Sequence, residues 1–345
     1  MKALIWEDGK KITLRDRPKP TIATENDVII KVKYAGICGT DLQVVKGNET
    51  IVPNIIMGHE AVGEIVEKGK NVTEYQIGDM VIIDPNQYCC DCENCKRGIT
   101  NFCTGWNGGL KIAGINVDGT FGEYFSCHKR YVYKIPNELS LEAAVLIEPM
   151  ACVLNNLRAA NIKENESVLI MGSGPMGALC QMIAKNSASL VIVTENSDYR
   201  RKECAKFCDY IVKSDELSIE MVREKNSGRL FDVIIDTVGN QMEHALELCE
   251  KGGRIIPMGM NKLYDCKLEP YQLISRGIKL IGASEYNMLF QDTIQTARRF
   301  SNLGSIVTKK YHITNYLNGF SDVLGYDIES GERREITQMK VVFEF

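Results

Sequence analysis

The chain lacks three features that would move it out of the ordinary globular class. It has no long basic run, and its net charge is −4, from 41 lysines and arginines against 45 aspartates and glutamates. Binding to nucleic acid or to a membrane surface therefore gets no electrostatic support. The opening MKALIWEDGKK lacks the apolar core of a secretion signal. The most apolar stretch, residues 167–185, is interrupted by glycines, serines and a proline, so we expect no membrane span.

Length and composition are those of a two-domain globular protein. The chain has 345 residues, of which 44% are hydrophobic and 25% charged. Cysteine departs from the average, because there are 13, spread through apolar segments as well as one polar loop. Free thiols together with a bound metal in a reducing compartment are the simplest explanation, so we expect a cytoplasmic protein.

Four cysteines lie in the loop NQYCCDCENCKRGITNFC at the spacing C-x2-C-x2-C-x7-C: Cys89, Cys92, Cys95 and Cys103. The loop has no hydrophobic period, and cysteines three apart in so tight a turn rarely reach disulfide geometry. Tetrahedral zinc needs four converging thiolates, which a closely spaced loop supplies at little closure cost. The spacing predicts a structural zinc site over residues 89–103, with redox chemistry as the alternative. Cys90 falls outside the spacing.

The hydrophobic pattern changes near residue 150. Before it, runs such as DVIIKVKYAG and AVGEIVEKG alternate with glycine turns, which predicts a β-rich domain. After it, near-continuous apolar runs alternate with helical patterns, which predicts a parallel sheet covered on both faces. Beyond about residue 289, one helical stretch precedes polar turns and a closing strand. We therefore expect an α/β protein of two domains, with this tail packed on one of them.

A glycine motif follows the apolar run SVLIM. Gly172, Gly174 and Gly177 form G-x-G-x-x-G between a predicted strand and a predicted helix that includes Pro175 and Met176. The first glycine permits a tight turn, the second lets the backbone approach a pyrophosphate, and the third allows close helix–strand packing. The helix N-terminus offers unpaired N–H groups to phosphates. The motif predicts a dinucleotide site, against the alternative of a glycine turn without a ligand.

Glu195 follows the next predicted strand, LVIVT, where a carboxylate binds the ribose hydroxyls of a dinucleotide. A carboxylate at this point repels a 2′-phosphate, which favours NAD over NADP. Arg200 and Arg201 follow within a few residues and keep NADP open as the alternative. A surface carboxylate without a ligand is the other explanation of Glu195.

Four further candidate ligands are dispersed along the chain. Cys38 lies in AGICGTD, His59 and Glu60 lie in IMGHEAVGE, and Glu148 lies in LIEPMAC at the predicted domain junction. Each alone has an ordinary structural explanation. As a set they are side chains that bind zinc, and a catalytic zinc takes three protein ligands and leaves one position open.

Through CGTD, GHE, the cysteine loop, DGTFGEY, EP and G-x-G-x-x-G, in this order, the chain resembles the zinc-dependent medium-chain alcohol dehydrogenases over its whole length. It is most similar to the polyol, sorbitol and threonine dehydrogenase branch, which has glutamate where Glu148 stands. The resemblance implies a GroES-like catalytic domain, residues 1–149 and 289–345, and a Rossmann NAD-binding domain, residues 150–288. It implies two zinc ions per chain, one catalytic and one structural.

The same resemblance implies an activity and an assembly. The activity is NAD-linked interconversion of a secondary alcohol, such as a polyol, cyclitol or sugar alcohol, and its ketone. The assembly is a homodimer or homotetramer formed through the strand GIKLIGA. Cys38 and His59 become ligands of the catalytic zinc, Glu60 and Glu148 compete for the third position, and Lys340 is a candidate partner for Glu60.

Four more positions carry expectations from the family. Asp41 corresponds to a carboxylate that fixes the tautomer of the ligand histidine, and Thr40 to the hydroxyl that takes the proton of the alcohol. Many relatives have histidine three residues after this hydroxyl, where this chain has Gln43, whose amide cannot titrate. Glu285 stands where polyol-type relatives often have arginine, and it could favour a cationic or polyhydroxylated substrate.

Three alternatives remain open on the sequence alone. The first is a reductase on the same scaffold, working from the carbonyl compound or with NADP. The second is a non-catalytic nucleotide-binding relative. The third is a zinc-ribbon module for nucleic acid, which lacks a basic patch and leaves the glycine motif unexplained.

Overall fold

The computed structural model describes residues 1–9, 11–106 and 109–345, which form two compact units. The first unit comprises residues 1–151 and 287–345, and the second comprises residues 152–286. The domain borders predicted above, after residues 149 and 288, differ from these by two residues each. The catalytic and nucleotide-binding roles of the two units stay predictions.

Strands dominate the first 151 residues. The strands are β1 (Lys2–Glu7), β2 (Lys11–Asp16), β3 (Asp27–Gly36), β4 (Glu60–Lys68), β5 (Met80–Ile83), β6 (Asn86–Gln87), β7 (Lys111–Ile112), β8 (Tyr124–His128) and β9 (Val132–Lys134). The helices are α1 (Gly39–Val45), α2 (Glu93–Lys96), α3 (Leu141–Ala144) and α4 (Ile147–Ala160), of which α4 ends in the second unit.

Strands and helices alternate in the second unit. They are β10 (Ser167–Met171), α5 (Pro175–Ala184), β11 (Leu190–Thr194), α6 (Asp198–Cys204), β12 (Tyr210–Val212), α7 (Ile219–Lys225), β13 (Phe231–Asp236), α8 (Met242–Leu248), β14 (Cys249–Pro257), α9 (Pro270–Arg276) and β15 (Lys279–Leu280). The returning segment contains α10 (Phe290–Ala297), β16 (Val307–His312), α11 (Tyr316–Leu324) and β17 (Lys340–Glu344). In the described part of the chain, no helix has both the length and the hydrophobicity of a membrane span.

The sheet of the first unit runs β16-β17-β3-β4-β5-β9, and β8 also pairs with β3. The register sets Gly36 at the end of β3 opposite Glu60 at the start of β4. The chain therefore places Cys38, just after β3, near His59, just before β4. The core behind this sheet includes Phe121 and Phe343, whose rings meet edge to face with centroids 5.1 Å apart.

The sheet of the second unit is parallel throughout, in the order β12-β11-β10-β13-β14-β15. Its central strands are almost wholly buried, as near-continuous Val, Ile and Leu runs require when helices cover both faces. The strand order reverses between β10 and β13, and ligands of doubly wound sheets bind outside the carboxyl ends at such a point. The predicted α/β architecture is confirmed.

One expectation about local structure was confirmed only in part, and one was wrong. The strand expected over residues 277–283 pairs only at Lys279–Leu280, because Gly277 ends α9 in the left-handed conformation (φ +64°) and leaves little extended chain. The tail also contains β16 and α11, where polar turns were expected. Gly319 lies inside α11, and a side chain there would come within 2.7 Å of the Phe343 ring. Tertiary packing thus stabilises a helix that the sequence pattern does not indicate.

Candidate metal centres and dinucleotide site

Four sulfur atoms converge in the loop of residues 89–103. All four lie within 4.8 Å of one another, and all four cysteines are free of disulfides. The Sγ atoms of Cys89 and Cys95 are 3.9 Å apart, as are those of Cys92 and Cys103. A zinc ion with Zn–S bonds of ~2.3 Å separates tetrahedral sulfurs by about 3.8 Å. The four thiols therefore fit a closed tetrahedral zinc site.

Backbone N–H groups of the loop point at these sulfurs. The N–H of Cys92 donates to Sγ of Cys89 over 3.2 Å, and the N–H of Thr104 donates to Sγ of Cys92 over 3.4 Å. The amides of Cys95 and Thr104 lower the pKa of Cys92 to about 5. Burial and the neighbouring thiols raise the pKa of Cys95 to about 12. Four thiolates cannot coexist here without a cation, which is the condition for a metal–thiolate centre.

Nothing in the sequence pattern pointed to Gly105 as part of this loop. A Cβ at this position would collide with Sγ of Cys89 and would lie 3.2 Å from Cβ of Cys92. We expect Gly105→Ala to displace a thiolate, to lower the zinc content by about one ion per chain, and to lower the unfolding midpoint. Metal analysis and thermal denaturation measure this. Gly282→Ala, at a position of the second unit with open space around it, is the control for the zinc content. Unchanged zinc content in Gly105→Ala would contradict the assignment.

A second donor cluster lies at the paired ends of β3 and β4. Ligand atoms of Cys38, His59 and Glu60 lie within 4.8 Å of one another. His59 and Glu60 are buried, and Nδ1 of His59 has no hydrogen-bond partner among the described residues. A buried imidazole nitrogen without a partner is costly unless a ligand satisfies it. Thiolate, imidazole and carboxylate together form a donor set of a catalytic zinc site.

The electrostatics of this cluster are those of a cation site. Burial opposes a charged His59, but the Cys38 thiolate, then Asp41 and Glu148, raise the pKa of His59 well above its ordinary value. Burial raises the pKa of Asp41. Burial opposes the charge of Lys340 as well, yet Glu60 above all keeps its pKa raised. Cys38, Asp41, Glu60 and Glu148 thus surround His59 and Lys340 with groups that favour positive charge.

Lys340 forms a buried ion pair with Glu60, as the resemblance implied. A carboxylate has two oxygens, so one remains for the cluster with Cys38 and His59. Glu148 is also buried, in the first turn of α4, and its charge acts on His59. The close group of donor atoms contains Glu60 and does not contain Glu148.

Asp41 and Thr40 lie in the first turn of α1, next to Cys38. The carboxylate of Asp41 accepts the backbone N–H of Cys38 over 2.9 Å, which closes the start of the helix. It makes no hydrogen bond to His59 in the part of the chain that the structure describes, so the expected tautomer-fixing bond is replaced by a charge interaction. The Thr40 hydroxyl lies 3.8 Å from the Cys38 sulfur and is half-buried.

The glycine motif forms the turn between β10 and α5. Gly172 has φ +91°, and a Cβ there would lie 2.7 Å from the Thr237 hydroxyl oxygen. A Cβ at Gly177 would collide with the carbonyl oxygen of Gly172, so strand and helix meet closely. A Cβ at Gly174 would contact only the Arg200 guanidinium, at 3.6 Å, which leaves open space for a ligand in front of this backbone. Each glycine thus has the place that dinucleotide binding requires.

The other residues predicted for the dinucleotide surround this turn. Pro175 begins α5, with Met176 half-buried beside it. The Glu195 carboxylate accepts the N–H groups of Ser173 and Ser197, each over 2.8 Å. These two bonds fix its orientation.

The two arginines after Glu195 have different surroundings. Nη1 of Arg201 donates to the carbonyl oxygens of Glu195 and Asn196, over 2.8 and 2.9 Å. Arg200 lies beside Gly174, and its Nε is buried without a hydrogen-bond partner among the described residues. Arg200 is therefore the arginine with capacity for an anion.

Comparison with known proteins assigns both parts of the chain. Residues 24–137 match the alcohol dehydrogenase GroES-like domain, and residues 175–302 match the zinc-binding dehydrogenase domain. L-galactonate-5-dehydrogenase of Escherichia coli K12 is 34% identical over 76% of this chain and 77% of its own. D-arabitol-phosphate dehydrogenase of Enterococcus avium is 31% identical over 88% of each chain. The chain belongs to the zinc-dependent medium-chain dehydrogenase family.

Solved structures of other dehydrogenases share the fold. An alcohol dehydrogenase of Escherichia coli CFT073, complexed with NADH, superposes with a TM-score of 0.88 at 24% identity, over 100% of this chain and 99% of the other. A Sinorhizobium meliloti protein described as a zinc-binding dehydrogenase, bound to NADP, gives 0.87 at 23%, with the same coverage. The predictions of a GroES-like domain, a Rossmann domain and membership of the alcohol and polyol dehydrogenases are confirmed.

Proposed function

We propose that this medium-chain dehydrogenase interconverts a secondary alcohol of the polyol or sugar-alcohol class and its ketone, with NAD as the redox cofactor. The observation that carries the proposal is the donor set of Cys38, His59 and Glu60, in which His59 and Glu60 are buried and the ligand atoms lie within 4.8 Å of one another. Two of its relatives are named for a sugar acid and for a sugar-alcohol phosphate, which supports a hydroxyl-rich substrate.

Two zinc ions per chain follow from the two donor sets. Cys89, Cys92, Cys95 and Cys103 would hold the structural ion, and Cys38, His59 and Glu60 would hold the catalytic one, with one position open. Bound there, zinc supplies Lewis-acid chemistry that makes a substrate hydroxyl more acidic. Lys340 holds one oxygen of Glu60, and Glu148 adds negative charge beside His59.

Proton removal is assigned to Thr40, whose hydroxyl lies beside the Cys38 sulfur. Its Oγ1 accepts the proton of the substrate alcohol and passes it on. Gln43 cannot continue this relay, because an amide does not titrate and its Oε1 already accepts from Asn48 over 3.0 Å. The proton would therefore leave through water, through a zinc-bound species or through Glu148.

The glycine turn and Glu195 are assigned to the nucleotide. When bound, the nucleotide would supply the hydride-acceptor chemistry. The open backbone at Gly174 and the N-terminus of α5 would hold its pyrophosphate, with Arg200 as a further partner for its charge. The fixed Glu195 carboxylate would accept from ribose hydroxyls and would repel a 2′-phosphate, which favours NAD.

The test is oxidation of a substrate panel by zinc-loaded protein, with NAD and with NADP. The panel contains polyols, cyclitols, sugar-alcohol phosphates and, because of Glu285, amino-alcohols. We expect NAD-dependent turnover concentrated in one of these classes. No turnover of any member in either direction, with nucleotide binding intact, would count against a catalytic function.

Glu195→Ala should erode the preference for NAD over NADP. The carboxylate contributes one or two hydrogen bonds to ribose and a repulsion against phosphate, so we expect the ratio of the two kcat/KM values to fall about 10-fold or more. Asp198→Ala, a nearby exposed carboxylate paired with Arg201, serves as the control. An unchanged ratio of the two kcat/KM values in Glu195→Ala would show that Glu195 does not contact the nucleotide.

Self-association is proposed through the edge of the second unit's sheet. Strand β15 is the last in the sheet, and large exposed side chains lie in the preceding segment, among them Met260, Leu263, Tyr271 and Ile274. An edge strand with an adjoining apolar surface can pair with its own copy about a twofold axis. This supports a homodimer, or a homotetramer in which two such dimers associate.

Ile274→Arg is expected to dissociate this assembly. Ile274 is 80% exposed in the isolated chain, and a charge at a buried contact between copies is strongly unfavourable. Analytical ultracentrifugation should give about half the mass of the parent protein. Ile77→Arg, at a 64% exposed position of the other unit, should leave the mass unchanged. A parent protein that is already monomeric would refute the assembly.

A further inference from the structure

Ser173, between the first two glycines of the turn, has all three of its polar groups engaged. Its N–H donates to Oε2 of Glu195 over 2.8 Å, and its hydroxyl oxygen accepts from Nε2 of Gln181 over 2.7 Å. Its carbonyl oxygen lies 3.7 Å from the thiol of Cys204, which donates to it. Ser173, Gln181 and Cys204 are all fully buried. The second residue of the turn is therefore held from three directions.

The Cys204 contact is that of a neutral thiol, because burial raises the pKa of Cys204 to about 11. The bond from the Gln181 amide to the Ser173 hydroxyl is shorter, at 2.7 Å, than the contact from the Cys204 thiol, at 3.7 Å. Gln181 lies inside α5 between the buried apolar side chains of Leu179 and Met182. Its Nε2 donates to the Ser173 hydroxyl oxygen, but its Oε1 is buried without a hydrogen-bond partner among the described residues.

An unpaired buried amide oxygen destabilises a folded protein, and an apolar side chain of similar size avoids this cost. Stability alone would thus favour leucine or methionine at position 181, as at the neighbouring positions of α5. The one bond that the amide makes is directed at the turn that precedes the helix. Gln181 therefore contributes something other than the stability of α5.

We propose that Gln181 is a positioning residue for the nucleotide, which holds Ser173 so that the turn of residues 172–174 keeps its binding conformation. The inference rests on the dinucleotide role proposed above for this turn. The Gln181 amide bonds to Ser173, and Ser173 bonds to Glu195. Gln181 acts through the hydroxyl of Ser173, whose N–H in turn orients the Glu195 carboxylate.

The test is Gln181→Leu, studied in the full-length, zinc-loaded protein. Loss of one directed hydrogen bond should raise the Kd for NAD, measured by titration calorimetry, and the KM for NAD by about five- to tenfold. We expect kcat to stay within about twofold. The unfolding midpoint should change little, because removal of the unpaired amide oxygen offsets the loss of the bond to the buried Ser173 hydroxyl. A Kd equal to that of the parent protein would overturn the inference.

Asn226→Leu is the control. Asn226 contacts the first residue of β10, the strand whose other end leads into the turn of residues 172–174. Nδ2 of Asn226 donates to the hydroxyl of Ser167, the first residue of β10, over 3.0 Å. This variant loses an amide–serine bond and also the bond from the same Nδ2 to the carbonyl oxygen of Leu230 over 2.6 Å. It should therefore lower stability and leave the Kd for NAD unchanged. An equal weakening of NAD binding in both variants would mean a general structural effect and would contradict a positioning role.

Ser173→Ala supplies the second variant. If the two side chains act through one bond, Ser173→Ala raises the Kd similarly, and the double variant binds no more weakly than either single variant. Additive losses would overturn the inference. A parent protein that binds neither NAD nor NADP would instead refute the proposed function, whereas normal binding by the parent and by Gln181→Leu refutes only the role of Gln181.

Discussion

His59→Ala is expected to lower kcat/KM for the preferred alcohol by at least about 1,000-fold. Loss of an imidazole ligand removes the metal or opens its coordination, and the Lewis-acid contribution of such an ion amounts to several kcal/mol of the barrier. The Kd for NAD should stay within about threefold, because the turn of residues 172–177 and Glu195 contain no contribution from His59. Turnover, metal content and NAD titration should be measured on the same preparation.

His128→Ala provides the control for this prediction. His128 lies in the same unit, and its Nδ1 accepts from Arg130 over 3.2 Å at the surface rather than from a donor cluster. We expect both zinc ions and near-parent activity in this variant. Activity of His59→Ala close to that of the parent protein would remove the Cys38–His59–Glu60 cluster from the chemistry.

The candidate site could be located from the sequence because its ligands lie in short motifs next to predicted strands. Spacing alone identified the four-cysteine loop, since local closure brings its sulfurs together. Cys38 and His59 meet because the pairing of β3 with β4 sets Gly36 opposite Glu60, and this register is not visible in either segment alone. The placement of Glu60 and Glu148 relative to Cys38 and His59 likewise depends on long-range geometry, which only the fold supplies.

Residues that serve the site by their size or by a single contact were not predictable. Gly36 and Gly105 are required because neighbouring functional groups occupy the space of a side chain, and a sequence does not show that space. Gln181 looks like an ordinary polar interruption of a helix until its bond to Ser173 is seen. In the tail, β16 pairs with β17, and α11 packs against Phe343. Because these contacts are long-range, local propensity does not predict either element.

Lys340→Met is expected to cause a large loss of stability while it leaves the side chains of Cys38, His59 and Glu60 in place. Lys340 and Glu60 are 3% and 1% exposed, and removing one partner of a buried ion pair costs about 3–5 kcal/mol of the free energy of unfolding. The cost arises because Glu60 keeps a buried charge without its partner. Urea unfolding followed by a signal from the first unit measures this change.

Two variants separate this effect from the loss of any lysine. Lys310→Met breaks an ion pair with Glu142 that is partly exposed, so it should cost at most about 1 kcal/mol. Combining Lys340→Met with Glu60→Gln removes both buried charges and should recover most of the stability. The double variant should nevertheless remain inactive, because an amide replaces the carboxylate proposed as a zinc ligand. Recovery of activity together with stability would show that Glu60 serves the fold alone and would assign the third ligand position to Glu148.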